Sequence, residues 1–343
     1  MLAVRLQAIG EPLQVEEVPL PEPRGAEVRI RVAGCGVCRT DVHIVDGLEP
    51  RVDLPRTLGH EVAGWIDAAG PEAEPSLIAA GLVHGAAVLV HGGWGCGDCR
   101  ECGAGATQRC PASAAPGFQA DGGYAEAMLV PDATVLEPLG ALDPTHAAPL
   151  ADAGVTALRA VRRAERWLAP GARIVVIGAG GVGQFVLQLL RLGSTANDLT
   201  IAAADRDARR VRRALDLGAD AGLPDAGPGS ARRAIGGPAD VVLDVVGSDE
   251  TLAQATEIVA SDGVVVLVGE GGGSTRFGFD GPPVESWLTT VAWGSRDDLR
   301  TVVRLATEGL VEWATEPMPL REASAAHARL RSGDVDGRLV LVP

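Results

Sequence analysis

The rhythm of apolar and polar positions changes near residue 150. Before it the apolar runs are short. Positions 27–33 (EVRIRVA) alternate polar and apolar side chains, as a half-buried strand does, and 62–66 and 87–90 read as further strands. No long helical period occurs in this region, which reads as a β-rich domain with long loops. Positions 151–168 then have helical composition, closed by Pro170 and Gly171. A repeating order follows. Strands are predicted at 173–177, 199–203, 240–246 and 263–268, and helices at 182–192, 207–217 and 249–260. Gly218 is placed to cap the second of these helices. Strands alternating with helices predict a parallel, doubly wound sheet. Positions 287–293 are read as closing that sheet, and the Pro- and Gly-rich stretch at 222–238 as a surface loop. The tail from Arg296 carries two helical stretches and a last strand at 338–342. A lone strand does not stand by itself, so the tail is expected to return to the first domain.

Composition narrows the chemistry. The 343 residues suit about two domains. With 46% hydrophobic and 22% charged residues, the chain reads as globular. No apolar run approaches the ~20 residues that span a bilayer, and the first ten residues lack a basic region followed by an apolar stretch. Cytoplasmic residence is the resulting expectation. A formal charge of −15 argues against nucleic acid or an anionic membrane as partner. All 30 basic residues are arginine, so Schiff-base, phosphate-loop and general-base lysines are excluded.

The segment GAGGVG, with Gly178, Gly180 and Gly183 at its fixed positions, matches G-x-G-x-x-G between a predicted strand and a predicted helix. The first glycine permits the turn, the second lets the backbone approach a pyrophosphate, and the third allows close helix–strand packing. Asp205 lies 22 residues past Gly183, at the end of the second strand. A carboxylate there suits the adenosine ribose hydroxyls and repels a 2′-phosphate, which favours NAD over NADP. Arg206, Arg209 and Arg210 stand close enough in sequence to soften that repulsion, and Arg210 fits the adenosine side.

All six cysteines lie in the first third of the chain. Cys96, Cys99, Cys102 and Cys110 follow the spacing C-x2-C-x2-C-x7-C. Four thiolates close a tetrahedral shell around Zn²⁺ and leave no position for substrate, so a structural zinc site is expected. Gly95, Gly97 and Gly103 would let the backbone curl around the ion. A catalytic zinc needs three protein ligands and an open position. Cys38 and His60 are candidates, but each alone is ambiguous. Cys35 is read as a buried small residue.

The strings GVCRTDVH and GHE, then the four-cysteine lobe, then AGVT ahead of GxGxxG, resemble the zinc-dependent medium-chain alcohol dehydrogenases. The resemblance runs in order over nearly the whole chain. It implies a GroES-like catalytic domain from 1–150 and 295–343, with a Rossmann-type NAD-binding domain at 151–294. It implies that Cys38 and His60 hold the catalytic zinc. Many members carry cysteine before the AGVT string, where this chain has Asp152. That resembles the bacterial secondary-alcohol branch, in which an aspartate is the third ligand. Thiolate, neutral imidazole and carboxylate still sum to −2 against Zn²⁺. The resemblance also implies Thr40 as hydrogen-bond partner of the alcohol oxygen and His43 as proton relay. Arg39 and Arg338 are implied to face the cofactor pyrophosphate, and Glu61 is implied to be an outer neighbour or occasional ligand of the metal.

The expected function is hydride transfer between NAD and an alcohol, a secondary one in the leading reading, or its ketone or aldehyde. Scarce aromatic residues and Trp293 suggest a roomy, apolar pocket. A polyol, amino-alcohol or biosynthetic-intermediate dehydrogenase is the enzymatic alternative, and a non-catalytic zinc- and NAD-binding scaffold the alternative of another class. The resemblance further implies a homodimer or homotetramer, paired through strands near 287–293.

Overall fold

The computed structural model describes residues 1–193 and 198–343. The chain divides into two compact units. One comprises Met1–Val155, Trp293–Gly309 and Ala314–Pro343, and the other Thr156–Ala292 and Leu310–Trp313.

In the first unit the alternating segment at 27–33 becomes the strand Val28–Gly36. It pairs antiparallel with Glu61–Ala69, with Ala127–Val130 and with Arg338–Val342. A strand so placed is paired along both edges, and it is buried along most of its length. Ile30, Val62, Ile66, Met128 and Leu341 share one core with it. Fully burying each such side chain contributes about 1.5–3 kcal/mol. Two short helices, Arg39–Val45 and Glu74–Ala80, interrupt the β-rich pattern. They fit between strands without a long helical period, which is why the apolar spacing does not announce them.

The second unit is a parallel sheet. Among the described residues its strands lie in the order Ala221–Leu223, Thr200–Ala204, Arg173–Ile177, Ala239–Asp244, Val259–Leu267, Trp287–Thr290. Numbered along the chain this is 3-2-1-4-5-6, the doubly wound order that binds dinucleotides where strand order reverses. Trp287–Thr290 closes one edge, parallel to Val259–Leu267. One expectation needs correction. The stretch 222–238 is not a plain loop, because it completes the strand Ala221–Leu223 and then forms the helix Pro228–Ile235. Pro228 stands in the first turn and Gly236 follows the last in a left-handed conformation. The Pro and Gly read as loop punctuation are the start and stop of a helix. Among the described residues no helix is long and apolar enough to cross a membrane.

The cysteine lobe belongs to the first unit. The Cys99 and Cys110 sulfurs are 3.7 Å apart, and those of Cys96 and Cys102 are 4.0 Å apart. Disulfide sulfurs would be about 2.05 Å apart, whereas two corners of a tetrahedron with ~2.3 Å Zn–S bonds lie roughly 3.8 Å apart. Backbone N–H groups of Cys96 and Cys102 point at the sulfurs of Cys110 and Cys99. Gly95 is required because a Cβ there would fall 2.4 Å from the Cys102 sulfur, and Gly97 because its φ is +86°. Gly103 meets neither condition, so the lobe does not depend on it. The Cys96 N–H holds the Cys110 thiol low, at about 7, while the Asp98 carboxylate pushes the Cys96 thiol up to about 12. Metal uptake therefore displaces protons, and acid weakens it. The variant Cys99→Ser should hold one zinc fewer per chain by elemental analysis and be cut by protease within 95–110. Unchanged zinc content would contradict this account of the lobe.

Candidate functional site

The catalytic candidates come from three places in the first unit. Cys38 precedes the helix Arg39–Val45, His60 enters the strand Glu61–Ala69, and Asp152 stands between the short turn Ala148–Ala151 and the helix Ala153–Ala164. Asp41 fixes the first of these by accepting the Cys38 N–H at 2.9 Å. The Asp152 Oδ2 lies 3.6 Å from the Cys38 sulfur and 3.7 Å from His60 Nε2. One sulfur, one nitrogen and carboxylate oxygens of Asp152 and Glu61 all fall within 4.8 Å of one another. Bond lengths of about 2.0–2.3 Å to Zn²⁺ give ligand separations of roughly 3.4–3.6 Å, so these donors fit such an ion. Asp152 is thus turned toward Cys38 and His60.

The field at the site favours a cation. Burial disfavours a charged His60, yet Asp41, Asp152 and Cys38 together raise its pKa well above the ordinary value. Burial also opposes ionisation of Asp152, and the hydrogen bond and charge of His60 and the charge of Arg338 outweigh it. In metal-free protein a proton on His60 partly meets the demand for positive charge.

Glu61 is buried, and Arg338 closes on it through both Nε and Nη2. Burial raises the Glu61 carboxyl to about 7, against the lowering effect of Arg338. A Cβ on Gly36 would fall 1.8 Å from Glu61 Oε2, so only glycine leaves this carboxylate room. Arg338 is held inside this site. Its guanidinium is only 7% exposed and lies 3.6 Å from Asp152 Oδ2, because a cation buried this deeply must be paired. Its observed partners are carboxylates of the metal site.

The remaining candidates of this unit lie on one short helix. Thr40 Oγ1 is 3.6 Å from the Cys38 sulfur. His43 is half-buried, and its Nδ1 is buried without a hydrogen-bond partner. Burial, then the charge of Arg39, hold its pKa below the usual value. Arg39 itself is exposed. Two aromatic residues join the site. Phe118 and Trp293 pack on His60 with ring centroids 5.6 and 6.0 Å away, and on each other at 5.6 Å. Trp293 has a φ of +49°, and its ring fills the space a Gly92 side chain would need. Spacing along the sequence gave no signal for Phe118. Cys35 is a free, fully buried thiol against Gly59 and Gly123.

In the second unit the glycine motif has three distinct duties. Gly178 has a φ of +94°, and a Cβ on Gly183 would lie 2.0 Å from the Gly178 carbonyl oxygen. A Cβ on Gly180 would meet nothing closer than an Arg210 nitrogen at 3.7 Å. That open approach is what a pyrophosphate needs. Asp205 accepts the Ala179 N–H and the Asp207 N–H, each at 2.9 Å. Asp207, not Asp205, caps the following helix. Arg210 lies 3.9 Å from Asp205.

Comparison with known proteins identifies the family. Residues 24–139 match the alcohol dehydrogenase GroES-like domain, and residues 217–341 match the zinc-binding dehydrogenase family. The chain is 36% identical over 348 residues to D-arabinose 1-dehydrogenase (NADP(+)) of Saccharolobus solfataricus, covering 99% of this chain and 97% of that protein. It is 34% identical over 357 residues to an NAD-dependent alcohol dehydrogenase of Sulfurisphaera tokodaii, covering the whole of both. Among solved structures, the alcohol dehydrogenase of the archaeon Aeropyrum pernix superposes with a TM-score of 0.91 at 34% identity, again over the full length of both chains. The chain therefore belongs to the zinc-binding alcohol dehydrogenase family.

Proposed function

We propose that this chain is an NAD-linked alcohol dehydrogenase whose catalytic zinc is held by Cys38, His60 and Asp152. The observation that carries the reading is the convergence of those three donors, 114 residues apart at the extremes, at 3.6–3.7 Å. A bound zinc supplies Lewis acidity, which polarises a carbonyl or acidifies an alcohol. A bound nicotinamide cofactor supplies the hydride acceptor.

The chain's own residues do the rest. Thr40, beside Cys38, offers a hydroxyl that orients the substrate oxygen and takes its proton. His43 accepts that proton onward, and its buried, unpartnered Nδ1 supports the role. Phe118 and Trp293 form an apolar wall beside His60, which supports a secondary alcohol or ketone with hydrocarbon substituents. The aspartate at 152 supports assignment to the secondary-alcohol branch. A sugar or polyol substrate is the second reading, favoured by the likeness to D-arabinose 1-dehydrogenase.

Gly178, Gly180 and Gly183 receive the pyrophosphate, with Arg39 contributing charge. Asp205 binds the ribose, and its hydrogen bond to Ala179 ties it to the same turn. Its negative charge supports NAD as the working cofactor, while Arg210 beside it moderates the discrimination against NADP. The catalytic domain is assigned to 1–150 and 295–343, and the cofactor domain to 151–294. The exposed Trp287 on the edge strand Trp287–Thr290, with Phe277 and Phe279 exposed before it, supports assembly into a homodimer or homotetramer. Six free cysteines accord with a reducing, cytoplasmic compartment.

A substrate panel at fixed NAD tests the reading. Production of NADH with 2-propanol or 1-phenylethanol is expected, at rates well above those with aldoses. Asp152→Ala should keep the fold, lose one zinc, and lose more than the ~100-fold that removal of an outer metal neighbour costs. Two zincs with normal turnover in that variant would refute the ligand assignment.

The pH profile tests His43. Its pKa is depressed, so the imidazole is neutral at neutral pH and gains a proton only below the usual ~6.5. Wild-type kcat/KM for alcohol oxidation should therefore begin its acid fall at a lower pH than an imidazole of ordinary pKa would set. His43→Leu should replace the plateau above that fall with a continuing rise with pH. An unchanged profile would remove His43 from the relay.

A further inference from the structure

A buried polar chain leads away from His60. Asp41, fully buried, presents Oδ1 to His60 Nδ1 at 3.2 Å. Neither of these atoms has a hydrogen-bond partner elsewhere. The other carboxylate oxygen, Oδ2, accepts the Cys38 N–H at 2.9 Å and lies 3.1 Å from the Tyr124 hydroxyl. That hydroxyl lies 3.1 Å from His327 Nε2 on the helix Ala323–Ser332. Tyr124 is 0% exposed and His327 is 2% exposed.

Donor and acceptor counting gives this chain one direction. Asp41 Oδ2 already accepts from an N–H that can only donate. The Tyr124 hydroxyl faces the same oxygen and so donates to it. A phenol has one proton to give, so His327 must supply its Nε2–H to the Tyr124 oxygen. At the other end, His60 turns Nδ1–H toward Asp41, so that once a metal displaces the other ring proton the Nε2 lone pair faces Cys38 and Asp152. Each group thus fixes the next, and the last one fixed is the nitrogen a metal would use.

The backbone reinforces this order. The Tyr124 N–H donates to the Leu58 carbonyl, and the Gly123 N–H to that of Gly59. A Cβ on Gly59 would fall 2.4 Å from the Tyr124 ring, so the ring lies on the residue just before His60. Packing alone would be satisfied by phenylalanine at 124 and leucine at 327. A buried hydroxyl and a buried imidazole without partners would each cost about 1–3 kcal/mol, so their presence here is balanced by the chain they form.

We infer that Tyr124 and His327 are positioning residues for the catalytic metal, acting through Asp41 to hold the His60 ring in its ligating tautomer and orientation. This inference rests on the reading of Cys38, His60 and Asp152 as the metal site. Partners of this kind set ligand orientation and metal affinity, and removing one costs about 10–100-fold.

The test follows metal release from the intact protein. Zinc loss to a chelator is timed with a chromophoric indicator, and the visible absorption of the cobalt(II)-substituted protein is recorded. Tyr124→Phe and His327→Leu should release the catalytic zinc about 10–100-fold faster and shift the cobalt bands. The zinc of the cysteine lobe should leave at the wild-type rate. His327→Gln, whose amide N–H reaches the same position, should restore most of the loss. Wild-type release and spectra in both variants would overturn the inference while leaving the metal site intact. Equal acceleration of both zincs, without rescue by glutamine, would overturn it in favour of general destabilisation. Failure of wild-type protein to hold a second zinc, or its retention in Asp152→Ala, would overturn the metal site and this inference with it.

Discussion

Negative charge buried beyond what one guanidinium can neutralise is the constraint on which the first unit depends. Asp41, Glu61, Asp152 and the Cys38 thiol crowd around His60, and Arg338 is the permanent cation among them. An isolated buried charge costs several kcal/mol even after relaxation, and pairing offsets that only where geometry is good. Arg338 spends both arms on Glu61 and reaches Asp152 at 3.6 Å. Cys38, His60 and Asp152 still present donors of the kinds and separations that suit Zn²⁺, and their charge sums to −2 when the thiol is ionised.

That constraint explains otherwise arbitrary features of the sheet. Val28–Gly36 ends in glycine because Glu61 occupies the space beside it. Arg338–Val342 starts with a buried arginine because the strand pairs close to Gly36 and brings the guanidinium to Glu61. Gly59 is glycine because Tyr124 lies against it. Distant segments are thus fixed by what the buried acids require of their neighbours. The second unit solves a different problem, in which a glycine turn must be tight at Gly178, open at Gly180 and close-packed at Gly183.

Features carried by local spacing were legible in the sequence. The alternation of strands and helices after residue 150, the glycine turn and the four-cysteine lobe each follow from contiguous residues, and the doubly wound sheet agrees with them. The stretch 222–238 misled because Pro and Gly punctuate helices as well as loops, and Pro228 and Gly236 do the former. Convergence across the chain was not legible from spacing. Asp152 reaches Cys38 from 114 positions away, and only family resemblance brought it forward. Tyr124 and His327 gave no signal, since a lone tyrosine or histidine in an apolar segment reads as core. Arg338 was visible as a charged residue opening a strand, but its carboxylate partners were not.

The central claim is direct hydride transfer from a substrate carbon to NAD. The most direct measurement is mass spectrometry of the NADH formed from 2-propanol deuterated at C2, in ordinary water. The account predicts NADH heavier by one mass unit, with the label on the nicotinamide ring. Unlabelled NADH, or labelling only when the solvent is deuterated, would contradict it.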